Sequence, residues 1–182
     1  MPQLVMAHFA ILRANAVVVP VNPMNRAQEL QHYITDAGVR LAMTTADLAP
    51  ELAQASAALP HEHRLQHMVV SQVGEYLPPE AEREPVPEAW QAWLTTQHPL
   101  PALECGEVLN WQQALACTQP VPPLEVGPQD LSVLPYTSGT TGLPKGCMHT
   151  HASIMCNAMA SAVWGQATSE NVALAVIPMF HI

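Results

Sequence analysis

Apolar positions recur at helical spacing over residues 3 to 14, where Leu4, Val5, His8, Ile11 and Leu12 fall on one side. Asn15 follows, and asparagine is second to glycine as a left-handed helix cap. The run Ala16-Val17-Val18-Val19-Pro20-Val21 is continuous and β-branched, which predicts a strand buried on both faces. A second helix is predicted with Asn25 as its cap and Gln28 closing a capping box. Ala27, Leu30, Tyr33, Ile34 and Ala37 form its apolar stripe, and Gly38 ends it. Then come a strand over 39–44, a helix over 46–58 and a strand over 66–71. Strands alternating with helices across short loops predict an α/β fold: a parallel sheet flanked by helices, with right-handed crossovers.

The pattern then breaks. Residues 78–128 hold ten of the 18 prolines together with Glu80, Glu82, Glu84 and Glu88. This reads as irregular surface chain, with short helical pieces over Trp90–Leu94 and Glu107–Ala116. Regular structure resumes with a strand over 130–137, a glycine-rich loop, a helix over 150–164 and a strand over 172–178. Three segments follow: 1–77, 78–128 and 129–182. There is no internal repeat.

Composition narrows the function. Half the chain is hydrophobic (49%) and only 12% is charged, which argues against disorder. The net charge of −9 argues against nucleic acid, whose binders need a basic face. Cys105, Cys117, Cys147 and Cys156 have no CxxC spacing and read as reduced thiols of a cytoplasmic protein. The apolar stretch over 4–21 lacks the positive start of a signal peptide. His8, Arg13, Asn15 and Pro20 interrupt it too often for a transmembrane span.

The chemistry concentrates in Tyr136-Thr137-Ser138-Gly139-Thr140-Thr141-Gly142-Leu143-Pro144-Lys145-Gly146. Three glycines, four Ser/Thr hydroxyls and one lysine in eleven residues suit a polyphosphate. Glycine lets backbone N–H groups turn inward, hydroxyls donate further bonds, and Lys145 adds a compact charge. It is not a Walker A loop: two residues, not four, separate Gly139 from Gly142, and no Ser or Thr follows Lys145.

This segment resembles, residue for residue, the phosphate-loop signature of the adenylate-forming enzymes: acyl- and aryl-CoA synthetases, firefly-type luciferases and peptide-synthetase adenylation domains. AILRANAVVVPVNPMNRAQELQHYITDAGVRLAMTT is similar to the upstream sheet-building segment of acyl-CoA synthetases, and Pro178-Met179-Phe180-His181 resembles the next family motif. Two departures stand out. Asn15 occupies a position usually held by Gly, and His149 stands where a hydrophobic residue commonly precedes Thr-His.

The resemblance implies the front part of a large N-terminal AMP-binding domain, most like a fatty acyl-CoA synthetase. It implies ATP, magnesium and coenzyme A, with a carboxylic acid activated to an acyl-adenylate and passed to the thiol. Thr137, Ser138, Gly139, Thr140, Thr141, Gly142 and Lys145 would hold the outer phosphates. Thr140 or Thr141 would sit near the magnesium, and His181 would line the junction of acyl pocket and adenylate. The later acidic motif, the TGD motif and the C-terminal domain with its lysine are missing, so little turnover is expected of this chain alone. A peripheral membrane contact in the whole protein and its oligomeric state are left open. The rival readings are an aryl-CoA ligase, a peptide-synthetase adenylation domain, and a non-catalytic nucleotide-binding remnant.

Three other features have bland readings. His61-Glu62-His63 lacks the second histidine of HExxH, since Leu65 stands there, and reads as a solvated turn. Cys147 and Cys156 read as packing residues rather than activated thiols. The Met-rich stretch over 153–164 reads as a core helix rather than an acyl channel.

Overall fold

The computed structural model describes residues 1–79, 82, 84–137, 142–174 and 178–180. The chain divides into two compact units: Met1–Ala7 with Asn25–Pro120, and His8–Met24 with Val121–Ile182. Helix α1 (Pro2–Arg13) contributes to both.

The first unit is an α/β layer. Helix α2 spans Ala27–Asp36, strand β1 Leu41–Thr45, helix α3 Ala49–Ala57 and strand β2 His67–Ser71. Further on lie helix α4 (Glu88–Thr95), strand β3 (Glu107–Asn110) and helix α5 (Trp111–Leu115). The strands form a parallel sheet in the order β1-β2-β3, with Leu41 opposite His67 and His67 opposite Glu107. Central β2 is buried from Met68 to Ser71, the continuous burial expected of an inner parallel strand. Met68, Val70, Leu65 and Ile34 share a core with Ala46, Ala49 and Ala53.

Local chemistry sets the boundaries. Gly38, at φ +63°, ends α2 as expected. The buried stripe of α2 is Leu30, Tyr33 and Ile34. Its cap is Arg26, however, and Glu29 closes the turn by accepting from the Arg26 amide at 2.7 Å. Asn25 instead donates to the Tyr33 hydroxyl at 2.8 Å. Pro50 lies in the first turn of α3, where its missing N–H costs nothing.

Three other expectations are corrected, and a fourth, the strand over 172–178, falls partly outside the described residues. Residues 107–116 are a strand followed by a helix, because Asn110 starts a new one. Its Oδ1 accepts from the Gln113 amide, and Gln113 Oε1 accepts from the Asn110 amide, both at 2.8 Å. In α1 the buried residues are Gln3 and Ala7, while Leu4 and Val5 are exposed. The stretch 16–21 is no strand buried on both faces. Only Val18 pairs, parallel to Val133, and Val17 and Val21 are exposed. No strand covers 171–174, and residues 175–177 lie outside those described.

The second unit carries short strands β4 (Leu131–Val133), β5 (Tyr136–Thr137), β6 (Lys145–Gly146) and β7 (His149–Thr150), then helix α6 (His151–Trp164). Strand β4 pairs antiparallel with β7, and β5 with β6. The expected strand over 130–137 is thus interrupted at Leu134-Pro135. Helix α6 is apolar along its length, yet none of its residues is buried within this chain. Met155 and Met159 are more than half exposed, and Cys147 and Cys156 are exposed too. The core-helix and packing-cysteine readings are therefore corrected. Among the described residues no helix is long and apolar enough to cross a membrane.

Candidate phosphate-binding site

Strands β5 and β6 pair antiparallel and form a stem on either side of residues 138–144. Tyr136 lies opposite Gly146 and Thr137 opposite Lys145. Thr137 Oγ1 donates to the Lys145 carbonyl at 3.4 Å, tying the two arms at the point where they part. Below them the Cys147 amide donates to the Pro135 carbonyl at 2.8 Å. Pro135 has no N–H to give, so the ladder breaks there and the stem departs from the line of β4.

The anchoring lies one layer down. The Val18 amide donates to the Ser132 carbonyl at 2.9 Å, and the Leu134 amide donates to the Val18 carbonyl at 2.8 Å. Buried Val133 sits between these bonds, so β4 is held firmly just before the stem. A Cβ on Gly146 would come within 2.9 Å of Leu134 Cδ1, so glycine is what allows β6 to lie against that side chain.

The structure brings Thr137 and Lys145 together across the stem. Both side chains reach solvent, and among the described residues Lys145 enters no ion pair. With no ion pair among the described residues, its ammonium is available to an anion. Gly142 is exposed, and a Cβ built on it would meet no described atom within 4 Å. Ser138, Gly139, Thr140 and Thr141 lie outside the described residues, as does His181.

Helix α6 does not offer its N-terminus in the usual way. The His151 amide donates to the Asp130 carbonyl at 3.1 Å and the Ala152 amide to the Pro128 carbonyl at 2.8 Å. Thr150 Oγ1 accepts from the Ser153 amide at 3.2 Å. The first amides of the helix are thus occupied and do not offer an open anion site at its N-terminus. Among the described residues no cluster of three His, Cys, Asp or Glu could hold a metal. Thr140 and Thr141, the residues expected near magnesium, lie outside the described residues. His61–His63 forms a single 3-10 turn at the surface.

Sequence reasoning missed the packing partners of the stem. Leu134 packs on Gly146 of the stem and Val18 pairs with its support β4, both through the fold, and only Pro135 signalled locally that the strand would break.

The parallel α/β layer of the first unit and the antiparallel stem that brackets residues 138–144 in the second are the architecture expected of an adenylate-forming enzyme. The AMP-binding enzyme family profile matches residues 1–182. The chain belongs to that family. It is 27% identical over 185 residues to a long-chain-fatty-acid–CoA ligase of Bacillus subtilis, covering 100% of this chain and 32% of the relative. It is 46% identical over 67 residues to 4-coumarate–CoA ligase 2 of Nicotiana tabacum, covering 34% of this chain and 12% of the relative. Among solved structures, apo MbtA of Mycobacterium smegmatis superposes with a TM-score of 0.60 at 27% identity, over 94% of this chain and 26% of that one. The chain thus spans about a third of the length of the Bacillus relative.

Proposed function

We propose that this chain is the phosphate-gripping part of an acyl-CoA synthetase that activates a fatty acid with ATP. A carboxylate oxygen of the acid attacks the α-phosphorus. The bond to the bridging oxygen breaks, and pyrophosphate leaves with the electron pair. The thiolate of coenzyme A then attacks the acyl carbon and expels AMP. The single observation behind this reading is the antiparallel stem that sets exposed Lys145, which enters no ion pair among the described residues, opposite Thr137 on either side of the glycine-rich segment.

The task of such a loop is to hold and neutralise the β and γ phosphates so that pyrophosphate can depart. Lys145 supplies the charge, Thr137 and the hydroxyls of Ser138, Thr140 and Thr141 supply donors, and Gly139 and Gly142 allow backbone approach. Thr140 or Thr141 would help hold a magnesium ion, which would supply further charge neutralisation to the triphosphate. His181 would face the junction between acid and adenylate. The whole reaction, placed in the cytoplasm, is proposed for a protein containing this chain, not for these 182 residues alone.

A fatty acid is preferred because the match to the Bacillus ligase runs along the whole chain. An aryl acid is the second reading, favoured by the higher identity to 4-coumarate–CoA ligase 2 over a shorter stretch. Acid-dependent pyrophosphate release, measured with fatty and hydroxycinnamic acids, separates the two. In the same assay Lys145→Ala should lower kcat/KM by about a hundredfold, the usual cost of removing one preorganised charge or donor. Unchanged pyrophosphate release in that variant would overturn the assignment.

A further inference from the structure

Asn15 follows the last turn of α1 in the left-handed region, at φ 58°. Glycine would adopt that backbone without steric cost, so what asparagine adds is its carboxamide. Both ends of it are used. Nδ2 donates to the Pro123 carbonyl at 2.8 Å, and Oδ1 accepts from the Glu125 amide at 3.0 Å. Two residues earlier, Arg13 Nη1 donates to the Pro122 carbonyl at 2.7 Å.

These bonds hold a segment that cannot hold itself. Residues 121–127 form no helix or strand, and Pro122 and Pro123 have no amide to donate. Side chains supply the partners that a ladder would otherwise give. The segment runs directly into Asp130 and β4. Three residues after Asn15, Val18 bonds β4 through Ser132 and Leu134, and Leu134 in turn packs on Gly146. One short stretch, 13–18, therefore holds both the approach to β4 and β4 itself.

We propose that Asn15 is a positioning residue for the phosphate loop. Its carboxamide fixes 123–125, and the Val18–β4 pairing carries that constraint to the β5–β6 stem and Lys145. The consequence for nucleotide binding rests on the phosphate-loop reading; the clasp itself does not.

Two variants isolate the side chain. Asn15→Gly keeps the left-handed backbone and removes both carboxamide bonds, and Asn15→Asp keeps the acceptor for the Glu125 amide. Hydrogen exchange is followed at single amides. In Asn15→Gly the Glu125 amide should exchange about tenfold faster, on the scale of one lost hydrogen bond. The Leu134 and Cys147 amides should exchange at least about threefold faster, the amides of β2 should not change, and ATP should bind severalfold more weakly. Asn15→Asp should restore protection at Glu125. The proposal is overturned if Leu134 and Cys147 exchange as in the wild type, or if amides of both units accelerate alike, which marks a general loss of stability. If Lys145→Ala leaves ATP affinity unchanged, the phosphate-loop reading fails, while the exchange data still decide the clasp.

Discussion

Leu134 lies against Gly146 so closely that a methyl group on Gly146 would meet Cδ1 at 2.9 Å and Cγ at 3.0 Å. The contact joins the end of β4 to the arm of the stem that carries Lys145. Gly146 has no positive φ to accommodate, so it is space, not backbone freedom, that calls for glycine here. Gly146→Ala should therefore force Leu134 from its rotamer and lower stability by about 1–3 kcal/mol, the usual range for overpacking. Leu134→Ala in the same chain should return part of that loss by opening the space. A double-mutant cycle by urea denaturation measures the coupling, and strictly additive effects would show that the two residues do not press on each other.

Gly106 presents the same geometry against backbone rather than a side chain. A Cβ there would stand 2.3 Å from the Gln66 carbonyl oxygen and 2.6 Å from its carbon. The approach is needed because the Glu107 amide donates to that carbonyl at 2.9 Å, opening the β2–β3 pairing. A backbone neighbour cannot swing aside as a leucine can. Gly106→Ala should thus cost more than Gly146→Ala, at or above the roughly 3 kcal/mol end of the overpacking range. It should also detach β3, read as faster exchange of the amides of Glu107–Asn110. A midpoint of unfolding equal to that of the wild type would contradict this.

The two glycines show where sequence reading reached and where it stopped. Strands β1 and β2 and helix α2 were legible because their apolar periods are set by local geometry alone. Strand β3 was not, because it is four residues long and sits in a proline-rich stretch whose composition suggests surface chain. Its boundary was nevertheless written in Asn110 and Gln113, an Asn-x-x-Gln cap that splits 107–116 in two. The arginine cap of α2 was hidden for the opposite reason: Asn25 is the better cap by type, but its amide side chain is drawn to Tyr33. Composition also misled at α6, where an apolar sequence suggested burial that the rest of this chain does not supply.

At the candidate site, the motif led to the phosphate-loop proposal before any geometry. Thr137 and Lys145 face each other because two-residue strands flank residues 138–144, a pairing that alternation alone could not fix. The contacts of Leu134 and Asn15 are tertiary. Partners more than 100 residues away in sequence, such as Asn15 with Pro123 and Glu125, leave no periodic trace.

His8 makes the last prediction. It lies in α1 beside Phe9, the two rings meeting edge to face at 5.4 Å. Partial burial removes water from the imidazolium and holds its pKa below the ordinary 6.5. The unfolded chain therefore binds a proton at His8 more readily than the folded one, so acid favours unfolding. The contribution of neutral His8 is complete above the unfolded value near 6.5 and is lost as the pH falls through that value toward the lower folded one. His8→Gln removes the titration while keeping a polar side chain. Between about pH 7.5 and 5.5 the wild-type melting temperature should fall more steeply than that of the variant. Parallel melting curves across that window would show that His8 is solvated equally in both states.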